Sequence, residues 1–513
     1  MTERPDRHAD VVVVGGGVAG CAASLSAARR GASVLMLTKL PDPGETNTRY
    51  AQGGIIYTGP GDSPGLLARD ILEAGAHAGD PRAARLLAEE GPPLVRRLLA
   101  DELAVPFDHG ADGDTEEPGF EGLHLTREGA HSVARIVHHR DTTGSAIQSE
   151  MSRAVRREER ITLLPGARVN SLALDGAGRC AGVYAERGGE KVELRGRSVV
   201  LATGGLGGLY SHTTNPPGAT GDGVALAMEA GARVRDLHYV QFHPTALYTA
   251  GERFLVSEAV RGEGGVLRDP EGAEFVDHPL GSLAPRDVVA RGISSMMART
   301  GAPCAYLDIT HRSRAWLEHR FPAISARCLA DGVDPSREPI PVVPAAHYSC
   351  GGVATDDRGR TAVRGLWAAG EVARTGLHGA NRLASTSLLE GLLWGWRSGE
   401  DAAGPGPAPA GALRPAGIES PPEPAPQRAW DRLRDTMWKS AGLVRTEPAL
   451  ERGLGELSVL AEEYGGTELA APLAVASAIV EGALADRRSL GCHYRADARA
   501  EGEEEVRVAD LPG

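Results

Sequence analysis

The sequence predicts an α/β protein: a discontinuous Rossmann-like dinucleotide-binding domain, an inserted α+β capping domain and a C-terminal helical bundle. Three observations carry that expectation. The β-branched run at residues 10–14 leads straight into Gly15-Gly16-Gly17-Val18-Ala19-Gly20 and a helical stretch. Comparable strand–glycine junctions recur far along the chain, at Ala202-Thr203-Gly204-Gly205 and at Trp367-Ala368-Ala369-Gly370-Glu371. Between those two, the composition shifts toward Pro and His. At 513 residues the chain is too long for one core, so several domains are expected.

Each element follows from local pattern. Residues 10–14 (DVVVV) form an unbroken apolar run, as in a strand buried on both faces. Residues 18–30 read as a helix and 34–37 as a second buried strand, completing a βαβ unit. The Gly/Thr/Asn-rich stretch 45–60 has no period and is long for a loop, which points to function. Residues 66–73, 82–99 and 142–157 carry helical periodicity, and 108–122 reads as an acidic loop. Residues 161–164, 169–174, 182–186 and 192–194 alternate like antiparallel strands, and 198–202 is again a buried strand. Residues 365–369 look like a return strand. The expected division is therefore 1–236 and 348–404 for the two pieces of the nucleotide-binding domain and 237–347 for the cap. Residues 405–428 form a Pro-rich linker, and 429–513 a helical domain with helices at 429–438, 447–464 and 469–486. The tail at 501–505 reads as an acidic solvated turn.

Composition narrows the function. The net charge of −13 disfavours a broad nucleic-acid surface. Only Lys39, Lys191 and Lys439 are lysines, so 52 of the 55 basic residues are arginine. The six cysteines include no C-x-x-C pair, so neither a disulfide framework nor a zinc module is expected. No stretch has about 18 uninterrupted apolar residues and the first residues lack a signal core, so no membrane span and a cytoplasmic location are expected.

In the first junction Gly15 permits the tight turn, Gly17 lets backbone N–H groups approach a pyrophosphate, and Gly20 lets the helix lie close to the strand. The helix N-terminus adds partial positive charge for phosphate. The acidic ribose ligand usual about 20 residues on is missing; Thr38 and Lys39 stand there. Either another group holds that ribose or Lys39 faces the pyrophosphate. Three junctions spread over one discontinuous domain point to FAD rather than NAD, and Glu371 at the third could hold a ribityl hydroxyl.

Six further motifs occur in order: Thr48-Arg49-Tyr50-Ala51-Gln52-Gly53-Gly54, Gln241-Phe242-His243-Pro244-Thr245, Arg261-Gly262-Glu263-Gly264, Ala284-Pro285-Arg286-Asp287, Pro344-Ala345-Ala346-His347-Tyr348 and Gly379-Ala380-Asn381-Arg382-Leu383-Ala384. From about residue 8 to about 490 the chain resembles the succinate dehydrogenase/fumarate reductase flavoprotein family. The resemblance implies FAD held by the Gly15–Gly20 loop, Lys39, Asn47, the Thr48–Gly54 run, Asp222, Glu371, Ser387 and Leu388. It also implies a dicarboxylate gripped by His243, Ser257, His347 and Arg382, with Arg286 at the reacting carbons. Ser257 stands where the family usually has Thr.

Two departures select a branch. Respiratory members carry a histidine, covalently bonded to flavin, where Asn47 stands; an amide cannot form that bond, so non-covalent FAD is implied. Thr126-Arg127-Glu128-Gly129 resembles the motif of the aspartate-oxidising branch, where the glutamate faces the substrate ammonium. That branch mostly has Ser at the position of Asn47. The implied activity is oxidation of L-aspartate to iminosuccinate, with oxygen or fumarate as acceptor. It would be the first step of NAD biosynthesis, and a quinolinate synthase would be a candidate recipient of the product. A soluble fumarate reductase or succinate dehydrogenase flavoprotein is the alternative. Taken alone, Glu128 could be a solvated loop charge, His243 and His347 satisfied core histidines, and Arg382 the partner of a structural acid. Whether Arg286 removes a proton or only stabilises charge stays open. Cys350 reads as a packed thiol and Arg291 as structural.

Overall fold

A computed structural model describes residues 7–110, 122–249, 253–407, 411–417 and 423–498. Most of the acidic stretch 108–122, the tail at 501–505 and part of the Pro-rich stretch, including Pro409, Pro421 and Pro422, lie outside the described residues.

The chain folds as an α/β protein around an eight-stranded mixed sheet. Its parallel part runs Ile161–Pro165, Val34–Thr38, His8–Val14, Glu190–Leu201, Leu366–Ala368. Burial follows sequence: Val34–Thr38 is buried throughout, whereas the edge strand Ile161–Pro165 is only partly buried. Sequence periodicity had grouped residues 161–164 with the antiparallel strands. They instead pair parallel with Val34–Thr38 because the preceding helix, Thr143–Arg157, acts as a crossover; alternation here marks an edge strand, not an antiparallel one. Residues 192–194 and 198–202 are likewise one strand, Glu190–Leu201, running unbroken through Gly196. Its first half pairs antiparallel with Cys180–Arg187 and its second half parallel with Leu366–Ala368, so one strand joins the two halves of the sheet.

Helix Val18–Arg29 crosses helix Thr386–Ala402 at backbone contact. A Cβ on Gly395 would lie 2.4 Å from Ala19 O, and one on Gly399 would lie 2.1 Å from Ala23 O. This contact joins the first nucleotide-binding helix to the segment carrying Arg382 and Ser387. The helix expected over 82–99 is α-helical from Pro81 to Leu94 and continues to Glu102 in wider turns, which begin just after Pro92 and Pro93 remove two N–H donors.

Residues 240–349 contain a four-stranded antiparallel sheet, ordered Val240–Leu247, Ile340–Ser349, Ala305–Asp308, Val266–Arg268. It has its own apolar core drawn from residues 247–342. Helices Gln427–Ser440, Glu447–Tyr464 and Ala470–Ala485 pack onto the far side of the main sheet, where Leu433, Leu457 and Ile479 share a core with Val12, Leu37 and Leu201. Within the Pro-rich stretch, Arg414–Pro415 pairs with the edge strand Ala167–Leu174, so that part is tied to the sheet. All six cysteines are free and buried. Among the described residues no helix is long and apolar enough to cross a membrane.

Candidate active site

One continuous cleft runs from the first glycine loop to the foot of the inserted sheet. Its far end is lined by Gly15 to Ala19, Lys39 and Asp222, its middle by Asn47, Thr48, Tyr50 to Gly54, Glu371 and Leu388, and its inner end by Glu128, His243, Ser257, Arg286, His347, Arg382 and Ser387. The structure thus gathers residues separated by more than 300 positions. Two expected residues stand apart. Gly20 lies beneath the cleft, where a Cβ would meet Gly15 O at 2.0 Å, so its part is to seat the helix. Arg49 points outward and pairs with Asp42 at 3.1 Å.

The walls fit FAD. Gly15 has φ +123°, and a Cβ there would lie 2.0 Å from Ala202 O, so only glycine lets the two strand ends converge. The helix that begins at Val18 carries no acid in its first turn. Thr203 lies on the same wall with its Oγ1 shut away from the cleft against Gly223, where a Cβ would lie 1.9 Å from it. Lys39 Nζ is 2.6 Å from Asp222 Oδ2 and 2.8 Å from Gly218 O, so its charge is partnered across the cleft. Burial works against ionisation of Asp222, but Lys39 holds its carboxyl below the usual range. Glu371 accepts from Asn47 Nδ2 at 2.9 Å and from Ser349 N at 3.1 Å, and burial lifts it to about 7.

At the inner end, two arginines are braced on one amide. Gln241 Oε1 accepts from Arg286 Nη1 at 3.0 Å and from Arg382 Nε at 3.3 Å. Its Nε2 donates to Asn381 Oδ1 and Arg382 O, which fixes the orientation of the amide. Arg286 Nε also donates to Glu258 Oε2 at 2.6 Å, and Arg261 lies 3.3 Å from the same oxygen. Burial alone would raise Glu258; Arg261 and Arg286 hold it below its usual range. Arg382 Nη1 donates to Ser387 Oγ at 2.6 Å, and its guanidinium lies 4.6 Å from the Tyr348 ring centroid. Burial and the neighbouring Arg286 lower Arg382 to about 10.

Both histidines are neutral, because burial and the arginines push each well below the usual imidazole range. His243 Nδ1 accepts from Thr245 N at 3.2 Å, which leaves Nε2–H as that ring's donor. Ser257 begins the short helix Glu258–Gly262; its N–H donates to Gln52 Oε1 at 3.1 Å and its Oγ accepts from Ala259 N. Glu128 is 3% exposed and accepts from Ser385 Oγ at 2.7 Å. Burial and then the neighbouring Glu258 raise its carboxyl above the ordinary range.

Sequence reasoning missed several members of this set. Gln241, Glu258, Arg261 and Tyr348 each lie within or beside a motif already singled out, and their roles show only in the pairing. Ser385, which directly follows the Gly379–Ala384 motif, was passed over in the same way, and Thr214, 2.7 Å from His347 Nδ1, carried no sequence signal.

Comparison with known proteins agrees with this geometry. A family model described as an FAD binding domain matches residues 10–388. The L-aspartate oxidase of Streptomyces coelicolor is 44% identical over 95% of this chain and 88% of its own length. That of Halobacterium salinarum is 44% identical over 96% of this chain and 97% of its own. Among solved structures, the chain resembles an E. coli quinol fumarate reductase FrdA variant with a TM-score of 0.86 at 28% identity, covering 98% of this chain and 93% of that one. The protein is an FAD-dependent oxidoreductase, and the chain belongs to the L-aspartate oxidase family of flavoproteins.

Proposed function

We propose that this protein oxidises L-aspartate to iminosuccinate with non-covalent FAD, passing the electrons to oxygen, giving hydrogen peroxide, or to fumarate, giving succinate. This is the first step of de novo NAD biosynthesis, and a quinolinate-forming enzyme is the proposed consumer of the product. The observation that carries the reading is the charge at the inner end of the cleft. Arg286 and Arg382 on the wall and Arg261 behind Glu258 give three guanidiniums against two carboxylates, Glu128 and Glu258, and two neutral histidines, leaving one surplus positive charge. Aspartate, with two carboxylates and one ammonium, carries the matching single negative charge. A plain dicarboxylate would leave the site one charge short.

The residues divide the work accordingly. His243, Ser257, His347 and Arg382 donate to the carboxylates, Arg supplying a planar fork. Glu128 accepts from the ammonium. Arg286, held by Glu258 and Gln241, stands at the reacting carbons as charge stabiliser and, with fumarate, as proton donor. Bound FAD supplies the two-electron acceptor for the Cα–H bond. The enclosing cap strands exclude water, which strengthens each charged contact. Overall, aspartate loses two electrons and two protons. Asn47 occupies the place of the flavin-linking histidine and is engaged with Glu371, which supports a dissociable cofactor. Anaerobic addition of L-aspartate should bleach the flavin absorbance, and air should restore it with one peroxide per cycle; retention of the oxidised spectrum under aspartate overturns the proposal.

A further inference from the structure

We propose that Ser385 is the positioning residue that keeps the Glu128 carboxylate turned toward the substrate's amino group, and thereby sets the choice between amino dicarboxylates and plain ones. The inference rests on the reading of Glu128 given above.

Three linked features of Ser385 converge. Its backbone sits in the left-handed region at φ +53°, which costs a non-glycine residue free energy. It occupies the N-cap of helix Thr386–Ala402, where a serine hydroxyl normally accepts from the first turn, yet it makes no such cap bond. Its hydroxyl instead donates to Glu128 Oε2 at 2.7 Å in a buried setting. A good cap and a relaxed backbone are both forgone for one contact. The other carboxylate oxygen lies over Gly53, where a Cβ would be 2.4 Å from Glu128 Oε1 and would displace it. The loop bearing Glu128 is stapled to the same turn by His131 Nε2, 3.0 Å from Ala384 O.

The charged groups that act on Glu128 are Glu258, which opposes its ionisation, and Arg286 and Arg382, which favour it; Arg261 lies within range of the same carboxylate. Against burial, the Ser385 hydroxyl is the direct hydrogen bond that favours the anion. Without it Glu128 takes up a proton at higher pH. The site then gains one positive charge and suits a plain dicarboxylate.

The test compares Ser385→Gly, which keeps the left-handed backbone, with Ser385→Ala. The ratio of kcat/KM for aspartate oxidation to that for fumarate reduction should fall about tenfold or more, the scale of one hydrogen bond to a charged group. The acid limb of the aspartate pH profile should move up, and succinate should still perturb the flavin spectrum. In a Glu128→Gln background, Ser385→Gly should have no further effect on the ratio. An unchanged ratio with an unmoved acid limb overturns the proposal, as does an equal loss on both substrates. Glu128→Gln separates the two readings: if it harms both substrates equally, the ammonium role of Glu128 falls too. If it is selective while Ser385→Gly is not, only the role of Ser385 falls.

Discussion

Arg382 Nη2 lies 3.0 Å from His347 Nε2, and because a guanidinium only donates, it fixes the imidazole as an acceptor on that side. His347 Nδ1 must then carry the proton, which it donates to Thr214 Oγ1 at 2.7 Å. A cationic donor and a neutral ring are thereby locked together at the point where a substrate carboxylate would enter. For His347 to donate to a carboxylate, binding must replace the arginine–histidine bond and leave the ring proton on Nε2, with Thr214 Oγ1 then donating to Nδ1, so the two residues act as a unit.

Arg382→Leu removes the carboxylate fork, the lock on His347 and the contact with Ser387. Aspartate and fumarate both depend on that carboxylate, so kcat/KM should fall on both by about 100-fold, roughly 3 kcal/mol. Arg382→Lys should rescue little, since an ammonium lacks the fork that spans Gln241, His347 and Ser387. Steady-state kinetics with FAD content measured alongside check this; selective loss on one substrate contradicts it.

Glu128 sets a pH dependence with a definite sign. Recognition of an ammonium needs the carboxylate, and burial with the neighbouring Glu258 raises the pH at which it becomes protonated. Aspartate kcat/KM should therefore decline with falling pH from above the ordinary glutamate range, and Glu128→Gln should remove that limb. The substitution should cost aspartate about 1.5–3 kcal/mol while affecting fumarate far less. The check is a pair of pH profiles on the two substrates.

Arg286 is bonded to Glu258 through Nε and to Gln241 through Nη1. Arg286→Leu removes the donor at the reacting carbons while Glu258 keeps Arg261 as a partner. Fumarate reduction should be abolished with FAD still bound. Turnover at the normal rate would remove Arg286 from the chemistry. A residual aspartate half-reaction, read by anaerobic flavin bleaching, would show charge stabilisation rather than an obligatory proton transfer.

What was legible in sequence was whatever depends on local pattern. The βαβ start is written in DVVVV followed by glycines, and His243, His347 and Arg382, the proposed carboxylate donors, sit in motifs that carry the family resemblance, whereas Ser257 lies in none of them. Long-range pairing was not legible. Residues 161–164 alternate as any edge strand does, so their parallel partner showed only in the fold. Ser385 directly follows the Gly379–Ala384 motif, but its meaning lies in a bond to a residue 257 positions away. The glycines at 391, 395 and 399 and the helix that carries them went unread in the sequence; their spacing has meaning only against the facing helix.

That helix contact yields a stability prediction. A Cβ on Gly395 would press on Ala19 backbone at 2.4 Å, and backbone cannot rotate aside. Gly395→Ala should cost about 1–3 kcal/mol, as overpacking does. Because the start of helix Val18–Arg29 lines the cleft, FAD affinity should weaken together with the melting temperature. Calorimetry of the protein with and without FAD, and a cofactor titration, check both; an unchanged melting temperature means that the helices can part without cost.

Asn47 bears on how the cofactor is held. Its amide donates to Glu371 at 2.9 Å, and it stands where respiratory relatives carry the flavin-linking histidine. An amide offers no nucleophilic nitrogen for that bond, so under the proposed reading the cofactor is held non-covalently, by the glycine loop, the Thr48–Gly54 run and Glu371. Acid precipitation of the yellow protein should leave a colourless pellet with stoichiometric FAD in the supernatant, and a denaturing gel should show no flavin fluorescence. Fluorescence that travels with the polypeptide would mean a covalent attachment through some residue other than Asn47.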